Sequence, residues 1–212
     1  MIRAVCFDMD GVLFDTERIG CEVTRAIAQD CGCRLTEEQR RLMWGLPLRR
    51  ARELLETWFP GFDSQIVKDR WYEGVLARVR QEGLILKPGA QQILHKLRQE
   101  GVKLALTSSN ARIMVDTYLA LAGWENAFDL VLTGNDISRG KPDPEIYLMA
   151  ARRLGVSPGE CIGVEDSPTG VRSVRAAGMI SVMIPDLLPF TGDLAPFTDR
   201  VLSSLDELDS LL

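Results

Sequence analysis

From Gly83 onward the chain alternates segments that read as helices with short apolar segments that read as strands. The helical segments are PGAQQILHKLRQEG, ARIMVDTYLALAG, DPEIYLMAARRLG and SPTGVRSVRAAG, interleaved with VKLALTSS, FDLVLTG, ECIGVED and ISVMI. Strands separated by helical crossovers pair in parallel, and the crossovers then cover both faces of the sheet. An apolar opening segment, IRAVCF at residues 2–7, supplies a further strand that runs straight into the polar, turn-prone DMDG. The alternation therefore predicts an α/β fold with a doubly wound parallel sheet.

Between these parts, from Glu17 to about Gln81, the pattern changes to charged helical stretches with no strand-like alternation. Thr36 followed by Glu38 and Gln39, and Pro47 near the start of the next stretch, read as helix starts. The prediction is a small all-helical unit over residues 16–82, inserted after the first strand of a core made of residues 1–15 plus 83–212. The tail reads as a proline-punctuated loop, PDLLPFTGDLAPFTD, then a short strand at VLS and a short helix from Ser204.

Composition narrows the function. A chain of 212 residues with 46% hydrophobic and 26% charged residues buries a core. Its formal charge of -5 disfavours nucleic acid or an anionic membrane as main partner. No apolar stretch approaches the roughly 18 to 20 residues of a membrane span, and no secretion signal is evident. Five cysteines, Cys6, Cys21, Cys31, Cys33 and Cys161, read as free thiols of a cytoplasmic protein. Cys31 and Cys33 lack a second Cys or His pair to complete a metal site, His95 being the one histidine.

In open α/β sheets ligands bind at the carboxyl ends of the strands, so the residues there carry the argument. The first strand ends in Asp8 and Asp10, two carboxylates that extended geometry aims to one side. The next ends in Thr107, Ser108, Ser109 and Asn110, ahead of a helix whose first N–H groups attract anions. Ser109 and Asn110 equally suit helix capping, with Ser108 the better ligand contact. Lys141 follows in the rigid GKPDP loop. Glu165 and Asp166 close the fourth strand, where Asp166 also reads as an N-cap.

Four carboxylates against one ammonium repel unless a divalent ion joins them, and hard oxygen donors point to Mg2+. The set suits phosphoryl transfer: a carboxylate nucleophile, cations for the equatorial oxygens, hydroxyl donors and an acid for the leaving oxygen.

Four strings in order, DMDGVLFDTE, LTSSN, GKPDPEIY and GVEDSPTGVRSVRAAGM, resemble the motifs of the haloacid dehalogenase superfamily, over residues 1 to about 185. The helical insertion after DTE resembles the cap of the β-phosphoglucomutase and phosphoglycolate phosphatase group. The resemblance implies a Rossmann-like core with a helical cap. It implies Asp8 as nucleophile and metal ligand, and Asp10 as general acid and base with its backbone oxygen on the metal. Asp166 would be a further metal ligand, with Glu165 assisting at the metal through water. Ser108, with Ser109 and Asn110 beside it, would hold the phosphate, and Lys141 would bridge phosphate and Asp8. Dehalogenases of the superfamily lack an acid at the place of Asp10, so dehalogenation is disfavoured. The expected activity is that of a phosphatase on a small phosphorylated metabolite, from a monomer, a dimer being the alternative.

The competing reading is a phosphomutase of the β-phosphoglucomutase type. Such mutases carry a histidine shortly after the DT pair, where this chain has Gly20. The segment Trp44-Gly45-Leu46-Pro47-Leu48-Arg49-Arg50 resembles the substrate-reading part of the group, with Leu48 where the mutase has arginine. Arg49 or Arg50 can still reach a distal anionic group, and Arg49 is taken as the candidate binding residue, a solvated helix face being the equal alternative. His95 falls in a core helix and is expected to take no part.

Overall fold

The computed structural model describes residues 1–43, 46 and 48–212. Trp44, Gly45 and Pro47, and with them the helix start expected at Pro47, lie outside the described residues. The chain divides into two compact units, Met1–Asp15 with Ile85–Leu212, and Thr16–Leu84.

The first unit is built on a six-stranded sheet ordered β3-β2-β1-β4-β5-β6, with every pair parallel. The strands are β1 (Ala4–Phe7), β2 (Lys103–Thr107), β3 (Leu130–Leu132), β4 (Cys161–Glu165), β5 (Ile180–Met183) and β6 (Arg200–Val201). The order runs outward from β1 in both directions, so the winding reverses between β1 and β4, the place where open α/β sheets bind their ligands. The helices lie on both sides of the sheet. They are α5 (Ala90–Gln99), α6 (Arg112–Ala122), α7 (Glu145–Leu154) and α8 (Pro168–Ala176). Their sequence positions match the alternation read above.

Side-chain parity explains how the sheet is covered. Ala4 and Cys6 of β1, Ala105 of β2 and Cys161 of β4 are fully buried in one cluster with Ile146, Tyr147 and Ala150 of α7 and Val174 of α8. Small residues on that face let α7 and α8 approach closely. At Gly163 of β4, a β-carbon would lie 2.6 Å from a methyl of Val174. Val5 and Phe7 point to the opposite face by strand alternation.

The tail differs from its expected form in detail. The last strand is Arg200–Val201, paired with β5 and shifted toward the N-terminus from the expected VLS, and the short helix expected from Ser204 is the 3-10 helix Leu205–Leu211. Short 3-10 segments also span Pro158–Glu160 and Gly192–Phe197.

The second unit holds four helices among its described residues: α1 (Glu17–Asp30), α2 (Glu37–Leu42), α3 (Leu48–Trp58) and α4 (Gln65–Glu82). Thr36 starts α2 with a capping box, in which its hydroxyl accepts from Gln39 N and Gln39 Oε1 accepts from Thr36 N. α1 and α4 pack through glycines. A β-carbon on Gly74 would lie 2.8 Å from Val23, and one on Gly20 would lie 3.0 Å from the Trp71 ring. No helix among the described residues is long and apolar enough to cross a membrane.

Candidate active site

Register places the site. Phe7 is paired with Leu106 on one side and Val164 on the other. The next residue on each strand then lies abreast: Asp8 between Thr107 and Glu165. The backbone N–H of Asp8 still donates to Val164 O at 2.9 Å, so the ladder holds the nucleophile candidate to the end of β4.

Beyond Asp8 the chain folds back on itself. Leu13 N and Phe14 N both donate to Met9 O, and Gly11 N donates to Phe14 O at 2.8 Å. Gly11 has φ +75°, and a β-carbon there would lie 2.4 Å from Asp166 Oδ2. The glycine of DMDG therefore serves two purposes. It makes the left-handed turn, and it leaves the space that Asp166 occupies.

Asp8, Glu165 and Asp166 are all buried, and each offers a carboxylate oxygen within 4.8 Å of the others. Lys141 reaches into this group from the loop between β3 and α7. Its Nζ lies 2.5 Å from Asp8 Oδ1 and 2.6 Å from Glu165 Oε1, and donates to Thr107 O at 3.0 Å. The loop that carries it is pinned at both ends. Glu145 accepts from Ser138 N, Ser138 Oγ and Arg139 N, while Ser173 Oγ donates to Asp143 O at 2.6 Å. The Lys141–Pro142 peptide is cis.

Electrostatics follow from burial. Removal from water pushes the Asp8 carboxyl up to about 8, opposed by Lys141 and reinforced by Glu165 and Asp10. Burial alone would lower Lys141, but Asp8 and Glu165 outweigh it and hold the ammonium well above its usual range. Lys141 is thus charged, and a single ammonium between two carboxylates leaves the group short of positive charge with Asp166 alongside. Three buried oxygen donors with that deficit fit a hard divalent cation such as Mg2+.

Tyr147 of α7 completes the group, and sequence reasoning passed over it. Its hydroxyl donates to Glu165 Oε1 at 2.5 Å, and its ring lies 5.3 Å from Lys141 Nζ. Burial and the neighbouring Glu165 push its phenol well above the ordinary value, so it remains a donor. Glu165 is therefore held from within the protein by Lys141 and Tyr147 as well as facing the metal-sized cluster.

The hydroxyl-rich segment after β2 is arranged differently from a helix cap. The N-cap of α6 is Ala111, and the N–H of Arg112 donates to Asn135 Oδ1 at 2.8 Å. Ser109 is exposed and does not cap the helix. Asn110 N donates to Ser108 Oγ, and Asn110 Nδ2 donates to Asp10 Oδ2 at 2.7 Å. Ser108 is 1% exposed. At the end of β4 it is Ser167, not Asp166, that caps α8, its Oγ accepting from Gly170 N at 3.1 Å. Asp166 is thereby left to the carboxylate cluster.

Asp8, Asp10, Ser108, Asn110, Lys141, Glu165 and Asp166 thus belong to one region of the first unit. Arg49 belongs to α3 of the second unit, where it is exposed and donates to Glu53 Oε1 at 2.8 Å; Arg50 contacts the same carboxylate. His95 lies on α5 against Gln99.

A family model described as haloacid dehalogenase-like hydrolase matches residues 5–184. The chain belongs to this family. A protein of Thermotoga maritima named phosphorylated carbohydrates phosphatase is 36% identical over 84% of this chain and 82% of its own. The β-phosphoglucomutase of Bacillus subtilis is 28% identical over 90% of this chain and 87% of its own. A crystal structure of a candidate β-phosphoglucomutase from Thermotoga maritima superposes with a TM-score of 0.80 at 31% identity, covering 100% of both chains. The protein is a haloacid dehalogenase-like hydrolase whose relatives include phosphatases and a phosphomutase.

Proposed function

We propose that the protein is a magnesium-dependent phosphatase of small phosphomonoesters, sugar phosphates or similar metabolites, working through an aspartyl-phosphate on Asp8. The observation that carries this reading is the buried cluster of Asp8, Glu165 and Asp166 with Lys141 on the Asp8 carboxylate. The naming of a relative for phosphorylated carbohydrates supports the substrate class.

In this reading Lys141 holds Asp8 Oδ1 and fixes the rotation of the carboxylate, so that the other oxygen meets phosphorus in line. The bond from Asp8 to phosphorus forms as the ester P–O bond breaks, and the departing alkoxide takes a proton from Asp10. Ser108 Oγ already accepts from Asn110 N, which leaves its own proton to donate to a phosphoryl oxygen. Water then attacks phosphorus, gives its proton to Asp10, and releases phosphate and free Asp8. Asp8, Asp166 and the backbone oxygen of Asp10, with Glu165 beside them, would hold magnesium, which supplies positive charge for the phosphoryl oxygens.

The test is phosphate release across a panel of sugar phosphates and related esters with magnesium, wild type against Asp8→Asn. Wild type should turn over at least one ester and the variant none; near wild-type turnover by Asp8→Asn removes Asp8 as nucleophile. Formation of an isomeric sugar phosphate with little free phosphate would instead establish the mutase.

A further inference from the structure

Asn110 is held more tightly than a phosphate contact on a loop requires. Its N–H donates to Ser108 Oγ at 3.1 Å and its C=O accepts from Gly134 N at 2.8 Å. A β-carbon at Gly134 would lie 2.4 Å from Ser109 O and 3.2 Å from Asn110 O, so the β3 loop presses directly on this backbone. From that clamped position the side chain reaches across 100 residues of sequence to Asp10, Nδ2 to Oδ2 at 2.7 Å. The backbone of Asp10 is fixed in turn by the folded segment after β1, in which Asp10 bridges to Phe14.

We infer that Asn110 is a positioning residue for the general acid: its amide fixes the rotation of the Asp10 carboxyl. With the amide N–H on Oδ2 the carboxyl is held in one rotation about its side-chain bonds, and its proton is presented to the leaving oxygen from that one direction. Without the amide the carboxyl turns about its side-chain bonds, and the proton is presented in the productive direction for a fraction of the time. This inference rests on the phosphatase reading, and it takes Asn110 out of the set that touches phosphate.

The experiment compares two leaving groups in wild type and Asn110→Ala: a sugar phosphate, whose alkoxide needs the proton, and p-nitrophenyl phosphate, whose phenolate leaves without it. The quantity read is kcat/KM, which covers steps up to departure of the leaving group and not later hydrolysis of the aspartyl-phosphate. The sugar phosphate should lose on the order of 100-fold, the size of a general-acid contribution, and the aryl ester at least about tenfold less than that. Asn110→Asp keeps the shape and replaces the donor by an acceptor. It should show a selective loss at least as large, and it serves where the alanine variant does not fold. Equal losses on both esters, or a loss carried by KM alike on both, overturn the inference and return Asn110 to the phosphate site. Unchanged values on both overturn it as well. A wild type inactive on both esters overturns the phosphatase reading, and this inference with it.

Discussion

A β-carbon on Gly170 would fall 1.9 Å from Glu165 Oε2, so helix α8 crosses the carboxylate at a distance that a glycine alone permits. Glu165 cannot step aside, because its other oxygen is engaged by Tyr147 and Lys141 at 2.5 and 2.6 Å. The effect of a substitution here is steric overlap within a packed, ion-paired group. Gly170→Ala should destabilise the first unit by about 1–3 kcal/mol, as overpacking does. By displacing Lys141 from Asp8 it should lower turnover on the order of 100-fold. Urea unfolding and phosphate release check the two effects, and a variant with unaltered stability and rate would show that Glu165 is free to move.

Tyr147→Phe keeps the ring under Lys141 and deletes the hydroxyl that faces Glu165. A buried carboxylate then loses a donor, which costs about 1–3 kcal/mol. Lys141 remains on Asp8, so substrate binding should change little while kcat falls. Denaturant unfolding with separate kcat and KM values reads this. A raised KM at constant kcat would place Tyr147 in binding rather than in holding Glu165.

The Asp8 carboxyl titrates at about 8 in the folded chain, raised from its ordinary 3.8 chiefly by burial. The folded state therefore holds this proton more tightly than the unfolded one. The resulting stability is complete below 3.8 and is lost as pH rises through about 8. Magnesium held at Asp8, as proposed, would favour the ionised carboxylate, so its stabilisation should grow with pH. Melting temperatures with magnesium and with EDTA should differ little near about pH 5 and clearly above about pH 8. Asp8→Asn removes the titrating group and should flatten both the decline and the magnesium effect. A magnesium shift that shrinks with rising pH would contradict the assignment of Asp8 to the cation.

The parts of this molecule that were legible in the sequence are those whose signal is local. The sheet followed from strand and helix patterns a few residues long, and Asp8 with Asp10 and Glu165 with Asp166 stood out because each pair falls within three residues at the end of a strand. Relations set by packing were not legible. Tyr147 reads as one more apolar position of α7, and its hydroxyl meets Glu165 because the small residues Ala4, Cys6 and Ala105 bring α7 close to the sheet. Ser109 and Asn110 have the chemistry of helix caps, yet Asn135, from the loop after β3, took that role at α6 and released Asn110 to Asp10. A glycine in the first turn of the helix after an ED pair, and one after DMD, were the available hints that two carboxylates needed room.

Gly20, at the place where the resemblance puts the histidine of the mutases, is closely covered by Trp71. The Trp71 indole lies over it, with Nε1 donating to Gly20 O at 3.1 Å, and even a β-carbon would meet the ring at 3.0 Å. Gly20→Ala sets the helical gain of about 1 kcal/mol over glycine against that tight contact, and should leave stability nearly unchanged. Gly20→His adds an imidazole where the indole lies and should cost about 1–3 kcal/mol. It should yield no isomeric sugar phosphate, since the ring must turn away from Trp71 to be accommodated. Adding Trp71→Ala removes the obstruction, so the double variant should be more stable than the sum of the single losses predicts. Thermal unfolding of the four-protein cycle, with isomer and phosphate assayed together, measures this. Additive losses would mean that Trp71 does not fill the position, and isomerase activity in Gly20→His alone would mean that the missing histidine was all that separated this chain from a mutase.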